Sequence, residues 1–154
     1  MKIIVLQGAP ASGKSTRAME LLTENPSAVI VSRDAIRHGT GTYWAPKRED
    51  YITDIEEYSV MRALGKMYDV IIDATNLNPE SLTRWKRIAV RYNAELIMEP
   101  VYASMETCIK RDANPNRSHH VGEKVIRAFF TKYKDQLTPP VKEEDEEEEI
   151  IELL

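Results

Sequence analysis

A glycine-rich segment near the N-terminus limits the folds open to this chain more than any other feature. It runs Gly8-Ala9-Pro10-Ala11-Ser12-Gly13-Lys14-Ser15-Thr16 and directly follows the apolar run Ile3 to Leu6. A Gly-x-x-x-x-Gly-Lys-Ser pattern between a strand and a helix is typical of a P-loop, in which backbone N–H groups and the helix N-terminus bind phosphate oxygens. The segment therefore predicts a site for the phosphates of a nucleoside triphosphate with magnesium.

The residues of this loop have distinct expected roles. The glycines allow the backbone to pass close to the phosphates. Lys14 is expected to be catalytic because it adds a positive charge at the β- and γ-phosphates, and Ser15 offers its hydroxyl to Mg²⁺. The loop residues expected to contact the nucleotide are Gly8, Ala11, Ser12, Gly13, Lys14, Ser15 and Thr16.

Short apolar runs rich in β-branched residues alternate with amphipathic stretches along the chain. This alternation predicts an α/β fold in which helices flank a parallel sheet of four to five strands, and together with the P-loop it indicates a P-loop NTPase kinase fold. Strands are expected over 3–6, 28–31, 70–72 and 96–98, and helices over 14–23, 47–67 with an interruption allowed, 79–92, 104–111 and about 122–136. Trp85 and Cys108 are expected to pack in the core rather than to react.

The C-terminal segment differs in composition from the rest of the chain. The net charge is −4, but eight acids lie in the last twelve residues, and without them the remainder carries +4. We expect one domain over 1–154, with an acidic connector at 143–149 and either a last strand or a disordered tail at 150–154. The N-terminus has no signal-peptide pattern, and no run of about 18 apolar residues occurs. These features favour a soluble cytoplasmic protein with no membrane partner.

A second polar group follows the second expected strand, in Ser32-Arg33-Asp34-Ala35-Ile36-Arg37. A carboxylate at this edge of the sheet can accept the proton of an attacking hydroxyl, which suits Asp34 as a catalytic base. Arg37 lies three residues later, so one helical turn places both side chains on the same side, where the arginine can hold a phosphate of the acceptor. The alternative is that Asp34 caps a helix and Arg37 is a surface charge.

A third group follows the third expected strand. Asp73 ends that strand and is expected to orient magnesium, as the acid of a Walker B segment does. Thr75 and Asn76 lie just beyond and are expected to touch substrate. The alternative is that Thr75, Asn76 and Asn78 only shape the turn, and for Asn78 we favour a role as N-cap of the helix that begins at Pro79.

The fourth group is a polar loop, which we interpret as a lid over about 112–121. Arg111 and Arg117 are expected to contact the donor phosphates, and Arg117 to stabilise the charge of the transferring phosphoryl group. A solvated basic loop is the alternative. His119 and His120 are expected to be exposed lid residues rather than metal ligands, because no third ligand lies nearby.

Together, these segments resemble the kinase domain of the phage-type and bacterial 5′-polynucleotide kinases over nearly the whole chain. The residues that carry the resemblance are the loop 8–16, Ser32 to Arg37, Asp73-Ala74-Thr75-Asn76-Leu77-Asn78-Pro79, Lys110-Arg111 with Arg117, and Phe130-Thr131-Lys132-Tyr133 before Pro139-Pro140. Some members of that family carry the acid of Asp73 one position later, where this chain has Ala74.

The resemblance implies transfer of the γ-phosphate of ATP, with Mg²⁺, to the 5′-hydroxyl end of DNA or RNA. It implies that Asp34 activates that hydroxyl, Arg37 holds the 3′-phosphate of the acceptor, and Arg117 contacts the donor. The ring pair Tyr43-Trp44 is a better candidate than Trp85 for stacking on a base. Two alternatives remain: a P-loop kinase that acts on a small-molecule or tRNA-linked hydroxyl, and a nucleotide switch, although the chain lacks an Asn-Lys-x-Asp guanine reader.

Overall fold

The computed structural model describes residues 1–141 of the chain. Four strands form one parallel sheet in the order β2-β3-β1-β4, with bounds β1 Lys2–Gln7, β2 Val29–Ser32, β3 Val70–Asp73 and β4 Glu95–Pro100. The four predicted strands are therefore confirmed. The acidic connector and the last strand or tail predicted over 143–154 lie outside the described residues.

The central position of β1 and β3 follows from their composition. Ile3 and Val5 on β1 pair with Val70 and Ile72 on β3, and all four side chains are fully buried. Runs of this kind are typical of parallel strands that helices cover on both faces. Ser32 pairs with Asp73 at the carboxyl ends of β2 and β3, so the polar residues that follow these two strands start from the same edge of the sheet.

Seven α-helices and a 3₁₀ turn complete the described part of the chain. Their bounds are α1 Lys14–Glu24, α2 Arg33–Gly39, a 3₁₀ turn Pro46–Arg48, α3 Glu49–Gly65, α4 Pro79–Tyr92, α5 Met105–Asp112, α6 Glu123–Lys132 and α7 Lys134–Leu137. The helix expected over 47–67 starts with the 3₁₀ turn, which is the interruption allowed for. The helix expected over 122–136 is divided at Tyr133, whose φ and ψ of −116° and 33° are not helical.

Side-chain caps define where the site-bearing helices begin. Asn78 accepts a hydrogen bond from the Ser81 backbone N–H at 2.7 Å, with Pro79 as the first helical residue, which confirms the predicted cap. Ser32 caps α2 by accepting from the backbone N–H of Ala35 at 3.2 Å. The alternative in which Asp34 serves as the cap is therefore wrong, and its carboxylate is left for other contacts.

The core packs on both sides of the sheet. Trp85 on α4 is fully buried in the main cluster with Ile3, Val5 and Ile72. Cys108 on α5 is fully buried in a second cluster with Ile126 of α6 and Leu137 of α7. Both residues pack as predicted, and burial raises the pKa of the Cys108 thiol, which keeps it protonated. Within residues 1–141, no helix combines the length and apolar character needed to cross a bilayer.

Candidate functional site

The P-loop adopts the backbone conformation expected of a phosphate-binding turn. Gly13 and Ala11 have positive φ values of 106° and 63°, which turn successive N–H groups toward one side of the loop. A Cβ atom on Gly8 would lie 2.6 Å from Ser12 Oγ and 2.7 Å from the Val101 carbonyl oxygen. Position 8 therefore requires glycine, because the loop folds back tightly against the end of β4.

Lys14 is a buried cation within this loop. Its Nζ donates a hydrogen bond to the Ala9 carbonyl at 2.7 Å, and no carboxylate of residues 1–141 lies within ion-pair distance of it. Burial lowers the pKa of Lys14 to about 8, against the opposing attraction of Asp73 and Asp34. A buried ammonium group without an ionic partner is costly. The site therefore fits a group with negative charge, such as the phosphates of a nucleotide.

Ser15 and Asp73, the two predicted metal ligands, meet beside Lys14. The Ser15 hydroxyl donates to Oδ2 of Asp73 at 2.7 Å, and the Asp73 carboxylate is buried. The described residues contain no cluster of three His, Cys, Asp or Glu side chains that would form a metal cage. One carboxylate with one hydroxyl suits Mg²⁺, which takes its remaining ligands from water and substrate phosphates.

Asp34 and Arg37 form the ion pair that their spacing predicts. Arg37 Nη1 donates to Asp34 Oδ1 at 2.9 Å. The same guanidinium also binds Glu49 on α3, through Nη2 at 2.6 Å and Nε at 3.2 Å. Burial alone would raise the pKa of Glu49, but Arg37 and Arg33 together hold it below its usual value. Arg37 thus donates three of its five N–H groups to carboxylates, and its other two N–H groups have no carboxylate partner.

Sequence reasoning missed Glu49. It lies twelve residues after Arg37 and on another helix, so no local spacing connects the two. A hydrogen-bonding acid at the start of α3 has an ordinary local explanation, because carboxylates favour helix N-termini. The contact depends on how α2 packs against α3.

Asn76 has a structural role that its predicted contact with substrate does not include. The structure buries it, and all polar atoms of its side chain bind within the protein: Nδ2 donates to the carbonyls of Leu6 and Ala74, and Oδ1 accepts from Trp85 Nε1. Its φ of 48° is one that Asn tolerates better than most residues. Asn76 and Thr75 both line a cavity of about 890 Å³, so contact of either residue with substrate stays a prediction.

We expect Asn76→Ala to lower the free energy of unfolding by about 2–4 kcal/mol, because the buried Trp85 Nε1–H and Leu6 carbonyl lose their partner. Urea denaturation followed by tryptophan fluorescence measures this change. Thr83→Ala, on an exposed position of α4, is the control and should change stability little. A loss of less than about 0.5 kcal/mol for Asn76→Ala would contradict the assigned structural role.

The lid connects α5 and α6, and its two ends are held together. The Asp112 carboxylate accepts hydrogen bonds from the backbone N–H groups of Val121 and Gly122, both at 2.9 Å. Arg117 lies within the lid and lines the main cavity. Arg111 lies on the other side of the P-loop, where Nη1 donates to the Ser12 carbonyl at 3.2 Å. The two arginines therefore flank the phosphate loop from different sides.

The two lid histidines do not share one environment. His120 is exposed as expected, and its Nδ1 contacts the Asp112 carbonyl. His119 was expected to be exposed, and this is wrong: its side chain is 14% exposed and lies against Tyr43 and Asp34. No local pattern shows this, because the contact joins the lid to a loop more than seventy residues earlier.

One cavity of about 890 Å³ brings together residues from all four sequence segments. Lys14, Ser15, Asp34, Arg37, Asp73 and Arg117 all line it. Trp44 lies at its rim with 57% of its surface exposed. The cavity thus presents cationic groups, the Ser15–Asp73 pair and a second carboxylate in one space, an arrangement that suits phosphoryl transfer.

Comparison with known proteins identifies the family of this chain. A family model described as an AAA domain matches residues 3–140. L-seryl-tRNA(Sec) kinase of Methanococcus maripaludis is 26% identical over 85% of this chain and 52% of its own length. A protein of Autographa californica nuclear polyhedrosis virus, described as a bifunctional polynucleotide kinase/RNA ligase, is 23% identical over 86% of this chain and 21% of its own length.

A solved structure shows the same relationship. A chain of the Pnkp1/Rnl/Hen1 RNA repair complex is 29% identical, with a TM-score of 0.77 over 88% of this chain and 44% of that chain. This chain therefore spans about half or less of these relatives. The likeness to the repair-complex chain and to the viral protein confirms the resemblance to polynucleotide kinases. The chain belongs to the AAA domain family matched over residues 3–140, and it has the fold of a P-loop kinase.

Proposed function

We propose that this protein transfers the γ-phosphate of ATP to the 5′-hydroxyl end of DNA or RNA. The observation that carries the proposal is the Asp34–Arg37 ion pair, which faces the same cavity as Lys14. The negative charge of Asp34 is close enough to oppose in part the burial that lowers the pKa of Lys14. Asp34, as the base for the acceptor, and Lys14, as the cation for the donor phosphates, would therefore act in the same cavity.

On the donor side, the P-loop would bind the β- and γ-phosphates through its N–H groups and Lys14. Arg117 would stabilise the charge that spreads over the transferred phosphoryl group, because its guanidinium lies on the lid above the same cavity. Ser15 and Asp73 would hold Mg²⁺, which when bound neutralises phosphate charge. Arg111 would contact the nucleotide from the other side of the loop.

On the acceptor side, Asp34 would take the proton of the 5′-hydroxyl as that oxygen attacks the γ-phosphorus, and the leaving group is ADP. Arg37 would hold the 3′-phosphate of the terminal nucleotide with its two remaining N–H groups. Trp44 would stack on a base, since its ring is exposed beside the Arg37 guanidinium at 5.6 Å. Tyr43 is less available, because His119 already covers its ring.

We expect Arg37→Ala to reduce kcat/KM for a nucleoside 3′-phosphate about 10- to 100-fold more than for the matching nucleoside without that phosphate. The ratio of the two losses isolates the phosphate contact, because damage to Asp34 lowers both alike. Arg62→Ala, an exposed arginine on α3 outside the cavity, is the control and should leave the ratio unchanged. Equal losses for both acceptors would contradict the clamp.

A second candidate is a kinase that phosphorylates a hydroxyl linked to tRNA or carried by a small molecule. The likeness to L-seryl-tRNA(Sec) kinase over 85% of this chain favours it. Its donor side would be the same, so only the acceptor separates the two. Competition between a 5′-hydroxyl oligonucleotide, seryl-tRNA and a panel of hydroxylated metabolites should show preference for the oligonucleotide; a preference for either of the others would support the second candidate.

A further inference from the structure

The lid reaches across the cavity to the acceptor side through His119. Its imidazole stacks on the ring of Tyr43, with centroids 4.1 Å apart and planes inclined by 16°. Its Nε2 lies 3.4 Å from Oδ2 of Asp34, and its Nδ1 lies 3.0 Å from Nε2 of His38. His38 lies on α2, and Tyr43 lies in the loop that follows this helix. A single lid residue is thus fixed by three contacts to the wall that carries the proposed base.

The hydrogen bonds to Asp34 are distributed unequally between its two oxygens. Oδ1 accepts from Arg37 Nη1 at 2.9 Å and from the Tyr43 hydroxyl at 3.0 Å. Burial and the charge of Asp34 raise the pKa of Tyr43, so this hydroxyl remains a donor. Within residues 1–141, Oδ2 accepts no hydrogen bond, and His119 Nε2 lies beside it at 3.4 Å. A carboxylate offers about four acceptor positions, so two are filled, both on Oδ1, and Oδ2 remains open beside the His119 ring.

The contact fits a neutral His119. Burial lowers the pKa of its imidazole, a shift that Arg117 and His38 increase and that Asp34 and Asp112 oppose. A neutral ring carries one N–H. If that proton is on Nε2, it faces Asp34 Oδ2, and Nδ1 accepts from His38 Nε2–H or from the Ser118 hydroxyl, whose Oγ lies 3.3 Å away. The opposite tautomer would place two lone pairs against each other at Asp34. The acceptor-only carboxylate of Asp34 therefore selects the tautomer with the proton on Nε2.

The lid segment carries one residue at the donor side of the cavity and one at the acceptor side. Arg117, proposed to act on the donor phosphates, lies two residues before His119, and its Nε lies 3.5 Å from the His119 carbonyl oxygen. Movement of one residue therefore moves the other. A lid that closes over the donor also brings the imidazole to Asp34.

We propose that His119 is a positioning residue that couples lid closure to the orientation of the Asp34 carboxylate. With Arg37 and Tyr43 bonded to Oδ1 and the His119 ring beside Oδ2, the carboxylate is held with Oδ2 open to receive the single proton of an attacking hydroxyl. Without His119, the carboxylate can rotate about its terminal bond and present that position in other directions. The inference rests on the proposed role of Asp34 as the base.

Two variants separate positioning from packing. His119→Phe keeps a ring on Tyr43 but removes both nitrogens, and His119→Gln keeps a donor that reaches toward Asp34. We expect His119→Phe to lower kcat for 5′-hydroxyl phosphorylation roughly 30- to 100-fold with little change in KM for ATP, and His119→Gln to recover about tenfold of that loss. Asn116→Ala, an exposed lid residue, is the control and should behave like the unmodified protein. Unchanged kcat in His119→Phe, or equal defects in both variants, would overturn the inference.

A second measurement does not depend on the acceptor. The chain contains three histidines, so their imidazole signals can be followed individually by NMR. Asp34→Asn removes a charge that opposes the lowering of the His119 pKa by burial, so we expect that pKa to fall further, with exposed His120 as internal reference. An unmoved His119 titration would overturn the inference. An intact coupling in a protein that phosphorylates no oligonucleotide would overturn the proposed function and leave the contact standing.

Discussion

Replacing Lys14 with methionine is expected to reduce phosphoryl transfer by about 10³-fold or more, because it removes the full charge held against the donor phosphates. In the absence of nucleotide, the same change should raise the free energy of unfolding by about 1–3 kcal/mol. The pKa of Lys14 is lowered to about 8 from 10.5 by burial, and each unit corresponds to about 1.4 kcal/mol. Chemical denaturation, with and without ATP, measures both the gain in stability and the lost stabilisation by nucleotide.

The pH dependence of this effect has a definite sign. Because the folded pKa of Lys14 lies below the unfolded value, the unfolded chain holds more protons between about pH 8 and 10.5. The destabilisation of the folded protein by the buried Lys14 charge is therefore complete below pH 8 and decreases as the pH rises. The stability difference between Lys14→Met and the unmodified protein should shrink above pH 8. Lys66→Met, at an exposed position, is the control; a Lys14→Met protein that is less stable yet still stabilised by ATP would contradict this account.

Asp34→Asn is expected to lower kcat by about 10²–10⁴-fold while KM for ATP changes little. The amide has the shape of the carboxylate, and its oxygen can still accept from Arg37 and Tyr43. It cannot take the proton of the acceptor hydroxyl. Steady-state kinetics at saturating oligonucleotide, with ATP varied, separates these two parameters.

Asp54→Asn supplies the matched control for this experiment. Asp54 is an exposed acid on α3 that does not line the cavity, so its variant should retain kcat within about twofold. If Asp34→Asn kept activity within tenfold of the unmodified protein, Asp34 would not be the base. A large rise in KM for ATP without loss of kcat would place Asp34 on the donor side instead.

The features that the sequence predicts correctly are local ones. The P-loop, the four strands and the Asn78 cap each depend on residues within a few positions of one another. The Asp34–Arg37 pair is also local, since one helical turn is enough to bring the two side chains together. Parallel topology then places separate loops at one edge of the sheet, which explains how Asp73 comes to meet Ser15.

The features that the sequence does not predict depend on packing between distant elements. Glu49 binds Arg37 because α3 packs against α2, and His119 reaches Asp34 because the lid folds over the loop after α2. Asn76 illustrates a different limit. Its position shortly after the predicted metal ligand predicts contact with substrate, and no local pattern shows that its Oδ1 also accepts from the buried Trp85 Nε1–H.

The most direct test of the central proposal is transfer of labelled phosphate from [γ-³²P]ATP to an oligonucleotide with a free 5′-hydroxyl. The proposal predicts labelling of that oligonucleotide, recovery of the label on its 5′-terminal nucleotide after nuclease digestion, and no labelling of the same sequence with a 5′-phosphate. Absence of label on every 5′-hydroxyl DNA and RNA, with efficient labelling of seryl-tRNA or of a small metabolite by the same preparation, would contradict it.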